Sequence, residues 1–172
     1  MSGCPTQAIS FNKQGRLVIS ADLCRYCQHC VISCPVHALT MDQPEERYKA
    51  FQAGMAGACQ AVLGRFDRQS VYYVSILMNI TPLCDCWGFS TPPLVPDVGI
   101  LAGDNLVAID QASIDLIDYR KLIKENVPDQ LNPPGKKGHL FQRLHGKDPY
   151  EQIRQCVALG LGKPEYKITE IP

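Results

Sequence analysis

Cys24-Arg25-Tyr26-Cys27-Gln28-His29-Cys30-Val31-Ile32-Ser33-Cys34-Pro35 packs four cysteines into eleven residues at the spacing C-x2-C-x2-C-x3-C, with a proline directly after the last. Gaps of two residues let one tight loop wrap a compact centre and present three sulfurs to it. The backbone amides of such a loop turn toward the same centre and offset its negative charge. A fourth ligand must then come from a more distant part of the chain.

That distant part is visible as an internal repeat. Cys4-Pro5-Thr6-Gln7-Ala8-Ile9-Ser10 and Cys34-Pro35-Val36-His37-Ala38-Leu39-Thr40 share C-P-x-x-A-[I/L]-[S/T]. The cysteine run has the spacing of bacterial-type ferredoxins, in which the cysteine before proline crosses over to the other cluster. By that rule Cys4 completes a cubane 4Fe–4S cluster with Cys24, Cys27 and Cys30. The equivalent first triad would fall before Met1, so Cys34 loses its expected partners and one cluster is expected. Two other readings compete with it: a structural zinc site, which usually pairs two C-x2-C hooks, and a cluster closed locally by Cys34. Within the loop, Tyr26 and His29 either shield the centre and tune its potential or are plain exposed loop residues; His37 reads as a surface or packing residue.

A second group, Cys84-Asp85-Cys86-Trp87, lies in a proline-rich loop. A C-x-C pair does not close comfortably on itself, but both thiolates reach one metal centre. A second site is therefore read at Cys34, Cys84 and Cys86, with Cys59 on offer as the fourth member. The alternative is an inert pair plus unrelated core cysteines. Cys156 reads as packing.

The bulk numbers frame this chemistry. The chain has 172 residues, 45% hydrophobic and 20% charged, enough to bury a real core. Lysine plus arginine equals aspartate plus glutamate at 17 each, which gives no electrostatic reason to expect nucleic acid or an anionic membrane as partner. The start, Met-Ser-Gly-Cys-Pro-Thr, lacks a basic segment followed by an apolar stretch, and Val71–Ile80 is too short to span a bilayer. A soluble, cytoplasmic protein is expected. Nine cysteines in a reducing compartment point to metal, redox chemistry or catalysis.

Two domains are expected: a ferredoxin-like iron–sulfur module over 1–42 and a small α/β domain over 43–172. In the first, Asn12-Lys13-Gln14-Gly15 turns a hairpin between Ala8–Phe11 and Leu17–Ser20. In the second, the pattern predicts a helix from Pro44 to about Phe66 with a centre of small residues, and strands at Val71–Asn79 and Val98–Ala102. Asp104 is placed as the cap of a helix over 106–117, and further helices are read at 119–125 and from Asp148-Pro149 to Leu159, with a closing strand at Tyr166–Ile171. Asp97, Asp104, Asp110 and Asp115 invite a metal–carboxylate reading against capping and surface roles.

Ile80-Thr81-Pro82-Leu83-Cys84-Asp85-Cys86-Trp87-Gly88-Phe89-Ser90 resembles a signature of the uncharacterised iron–sulfur-centre proteins classed as a domain of unknown function. Pro93–Ala102, Val107–Ser113 and Gly160-Leu161-Gly162 with Glu165-Tyr166 resemble the same family. The resemblance implies cluster binding and electron transfer, and no substrate. Its members carry a longer N-terminal α/β portion and a two-cluster insert, so either a partner subunit or a lost upstream segment is expected to complete the ferredoxin half here. The fold expected is a ferredoxin-like half-module with a 4Fe–4S loop packed on a small α/β domain. The function expected is a single-electron relay, oxygen-sensitive and docked to a redox protein or oxidoreductase subunit. The competing readings are an oxidoreductase with its active site at the Cys84/Cys86 loop beside Asp97 or Asp110, and an interaction subunit with a structural cluster.

Overall fold

The computed structural model of the chain describes residues 4–25, 27, 29–36, 38–40, 45–84, 91–131 and 134–171. The chain divides into two compact units, Met1–Gln43 and Pro44–Pro172. Among the described residues it is a mixed α/β protein with two small antiparallel sheets and five α-helices.

In the first unit, β1 (Ile9–Phe11) pairs with β2 (Leu17–Ile19) in the register Ile9↔Ile19, Ser10↔Val18, Phe11↔Leu17. The turn is organised by one side chain. Asn12 Oδ1 accepts from the amides of Gln14 and Arg16 at 3.0 and 2.9 Å, and Gly15 takes φ of 73°, which glycine adopts without strain. The chain then returns through Ser20, whose N–H donates to Ala8 O at 2.8 Å, and reaches α1 (His29–Ile32). Ala8 is the one buried hydrophobe among this unit's described residues, while Phe11, Leu17, Val18, Ile19, Leu23 and Val36 are exposed.

The second unit carries the apolar core. α2 (Glu45–Leu63) starts with Glu45 and Glu46 in its first turn, where carboxylates suit the positive end of the helix dipole. It packs on α5 (Glu151–Ala158), and fully buried Ala56 joins Val107, Ile153 and Cys156 in a cluster between helices. Its small side chain allows the close approach that the Ala/Gly-rich centre implied. Tyr48 Oη and Gln60 Nε2 add hydrogen bonds to the carbonyls of Asp148 and Leu159.

β3 (Tyr73–Leu77) and β4 (Gly99–Gly103) pair antiparallel, Tyr73 opposite Gly103 and Leu77 opposite Gly99. Alternation puts Ser75 toward α3 (Leu106–Leu116), where Ser113 Oγ and Ser75 Oγ lie 3.0 Å apart, and leaves Val74, Ile76 and Ile100 exposed on the other face. A larger cluster joins Leu77, Ile80, Leu94, Val95, Ile117, Val127, Leu140 and Leu144. Fully burying a leucine such as Leu94 or Leu140 contributes about 1.5–3 kcal/mol. No helix of the described residues is long and apolar enough to cross a membrane.

Several local expectations change. Asn105, not Asp104, caps α3: its Oδ1 accepts from the amides of Val107 and Ala108 at 3.1 and 3.3 Å. The cap must directly precede the first helical residue, and Asp104 stands one position too early. Residues 119–125 form separate 3-10 turns, Tyr119–Lys121 and Lys124–Asn126, with no α-helix. Tyr166–Ile171 forms no strand; Tyr166 is instead tied by its hydroxyl to Asp115. A short helix that the pattern did not suggest, α4 (Leu140–His145), is capped by His139 Nδ1, which accepts from the Phe141 amide at 3.2 Å, and stops at Gly146 with φ of 70°.

Candidate metal centre

The first unit contains a cavity of about 330 Å³ lined by Cys4, Cys24, Cys27 and Cys30. Three pieces of backbone bring these thiols together. Cys4 opens a tight turn in which the Gln7 amide donates to Cys4 O at 3.1 Å. Gln7 takes φ of 54°, an uncommon conformation for a residue with a side chain, and so turns the following amide back on itself. The Ala8 N–H then donates to Cys4 Sγ at 3.3 Å. Cys24 follows the hairpin, its amide bound to Ser20 O at 2.9 Å. Cys30 lies in α1, and Cys27 stands exposed between the two.

The remaining wall is mixed. Ile9, Ile19, Val31 and Leu39 give it apolar sides; Thr6, Arg25, His29 and Thr40 give it polar ones. His29, weighed as a shield or an exposed loop residue, is part of the wall; Tyr26 lies outside the described residues. Spacing did not single out Thr6. Its Oγ1 sits 3.7 Å from Cys4 Sγ.

Electrostatics distinguish the thiols. The Thr6 hydroxyl, followed by backbone amides, draws the Cys4 thiol below its ordinary value against a smaller effect of burial. Burial pushes the Cys30 thiol up, and the neighbouring charges of Cys27 and Cys4 push it the same way. Cys4 and Cys27 thus lie close enough to Cys30 to act on its charge.

The shape of the donor set bears on which centre fits. A tetrahedral zinc with sulfurs at about 2.3 Å requires those sulfurs to meet within about 4 Å of one another. No three His, Cys, Asp or Glu side chains among the described residues form a group suited to a single ion. The four cysteines, from separate stretches of chain, are among the residues that line one cavity.

Cys34 is not among that cavity's lining residues, yet it repeats the Cys4 geometry: the Ala38 N–H donates to Cys34 Sγ at 3.3 Å. The other residues read as a second site are Cys59, Cys84 and Cys86. Cys59 lies on α2, where it adds to the effect of burial in raising the Cys156 thiol, as does Asp110; Cys84 is exposed in the loop after β3; Cys86 lies outside the described residues.

Two of the four acidic candidates, Asp97 and Asp115, accept hydrogen bonds. Asp97 Oδ1 accepts from the Asn79 amide at 2.8 Å, where Asn79 has φ of 49°. Burial alone raises Asp110. Asp115 accepts from Gln111 Nε2, from Tyr150 Oη at 2.8 Å and from Tyr166 Oη at 2.9 Å. Burial pushes its carboxyl up, but these donors outweigh burial and hold it below its usual range.

The family described as Domain of unknown function (DUF362) matches residues 10–115. The chain belongs to this family. The DUF362 match spans Cys24, Cys27, Cys30 and Cys34 as well as the Cys84 loop, and leaves Cys4 outside it. No curated protein and no solved structure matches the chain.

Proposed function

We propose that this DUF362 protein binds a 4Fe–4S cluster through Cys4, Cys24, Cys27 and Cys30 in a ferredoxin-like half-module, and relays single electrons through it to a partner redox enzyme. The observation that carries the reading is the convergence of these four thiols, from separate stretches of chain, on one cavity. The residues fit the group. Four thiolates supply its terminal ligands, and the Ala8 N–H and Thr6 hydroxyl face the sulfur of one of them.

When bound, such a cluster takes up and releases one electron. The chain's own contribution is to bring the thiolates to one cavity, to give it apolar sides with Ile9, Val31 and Leu39, and to soften negative charge with hydrogen bonds. Exposed Cys27 puts one corner of the cage at the surface, where a partner's centre can approach it. This favours a relay over a cluster sealed in for structure alone.

Reductive titration of the anaerobically purified full chain tests the relay. The visible absorbance should bleach by a reversible one-electron step and recover on reoxidation, while exposure to air should bleach it irreversibly. A cluster that resists reduction across the whole accessible range, or that breaks down on the first cycle, would rule the relay out.

A further inference from the structure

The two C-P-x-x-A repeats allow an internal comparison at the metal centre. In both, the alanine amide four residues on donates to the cysteine sulfur, at 3.3 Å each time. They differ at the residue between. Thr6 sets its hydroxyl 3.7 Å from Cys4 Sγ, whereas the equivalent position holds Val36, whose side chain has no polar atom and which is 76% exposed. Thr6 also lines the cavity, and Val36 is not among its lining residues. The hydroxyl is therefore not needed to build the turn, since the Val36 copy makes the same amide–sulfur bond without it. A thiolate has no proton to give, so towards a deprotonated Cys4 the hydroxyl is the donor.

We infer that the Thr6 hydroxyl, by donating to Cys4 Sγ, sets the reduction potential of the centre held by Cys4, Cys24, Cys27 and Cys30. The inference rests on the cluster reading above. Reduction adds negative charge to the cage and its sulfurs, and a donor aimed at a sulfur stabilises the more negative state, raising the potential. Thr6 acts through Cys4 and is a positioning residue. Its counterpart in the other repeat shows the substitution nature tolerates in this turn: valine.

The experiment compares the wild-type chain with Thr6→Val, Thr6→Ala and Thr6→Ser, all full length, purified anaerobically and analysed for iron and acid-labile sulfide before a redox titration followed by EPR. Either hydroxyl-free variant that retains the wild-type iron content should be harder to reduce. The expected change in the reduced-to-oxidised ratio is about tenfold at fixed potential, roughly 59 mV for a one-electron couple. Thr6→Ser should stay near wild type. Loaded Thr6→Val or Thr6→Ala at the wild-type potential would overturn the assignment, as would loss of iron from both while Thr6→Ser keeps it, which would make the hydroxyl a means of seating Cys4. A wild-type chain without iron and sulfide would instead refute the cluster itself, a separate failure.

Discussion

Among the described residues, 1–43 bury a single apolar side chain, Ala8, whereas 44–172 bury fourteen, twelve of them in two clusters around Leu94/Leu140 and Ala56/Ile153. The first unit instead concentrates thiols: Cys4, Cys24, Cys27, Cys30 and Cys34 all fall within it. A unit of this size sits at the limit where an apolar core stops being sufficient and a metal or cross-link takes over. The difference teaches that the two parts of the chain are stabilised by different means. The larger one folds by excluding water from side chains; in the proposed reading the smaller one is held by ligand bonds that close the Cys4 turn onto the Cys24–Cys30 loop.

Stripping the metal should break this comparison most sharply. Chelator treatment of the anaerobic protein is expected to abolish hydrogen-exchange protection at the Ser20 and Cys24 amides, which bond Ala8 O and Ser20 O, and to leave β3, β4 and α3 protected. Equal protection before and after would show that the first unit stands without its ligand bonds.

The reciprocal perturbation is smaller. Leu140→Ala removes a fully buried side chain from the larger core and should cost about 2–5 kcal/mol in denaturant unfolding of the second unit. The visible and EPR spectra of the first unit should not change. A spectral change of the same size as the stability loss would show that the two units are coupled.

Acid gives the smallest effect, confined to the second unit. The folded-state pKa of Asp115 lies below its usual 3.8, so its contribution is fully present at neutral pH and is lost as pH falls through that lowered value. Asp115→Asn should therefore destabilise at neutral pH by about 1 kcal/mol or less, given its partial exposure, and the gap from wild type should close in strong acid. A gap that widens on acidification would contradict the sign.

What could be read from sequence follows the same division. That Cys4, Cys24, Cys27 and Cys30 line one cavity was legible because cysteine spacing and a thirty-residue repeat constrain which of them come near one another. The hairpin was legible because Asn12 and Gly15 carry its turn in their own chemistry. Thr6 was not, since its role depends on a turn that only coordinates reveal. The Tyr166–Ile171 strand was misread from β-favouring residues: a strand needs a neighbour, and here Tyr166 Oη finds Asp115. α4 escaped because six residues are too few to show a helical period and its cap is a histidine. The contact of Asp97 was not legible, since its Oδ1 takes the Asn79 amide from eighteen residues away.

The most direct test of the central claim is iron, zinc and acid-labile sulfide analysis with EPR on the anaerobically purified chain and on Cys4→Ser and Cys34→Ser. The account expects about four irons and a matching amount of sulfide per chain in the wild type and in Cys34→Ser, with severe loss in Cys4→Ser. Zinc without sulfide, or a cluster that survives Cys4→Ser and vanishes in Cys34→Ser, would contradict it.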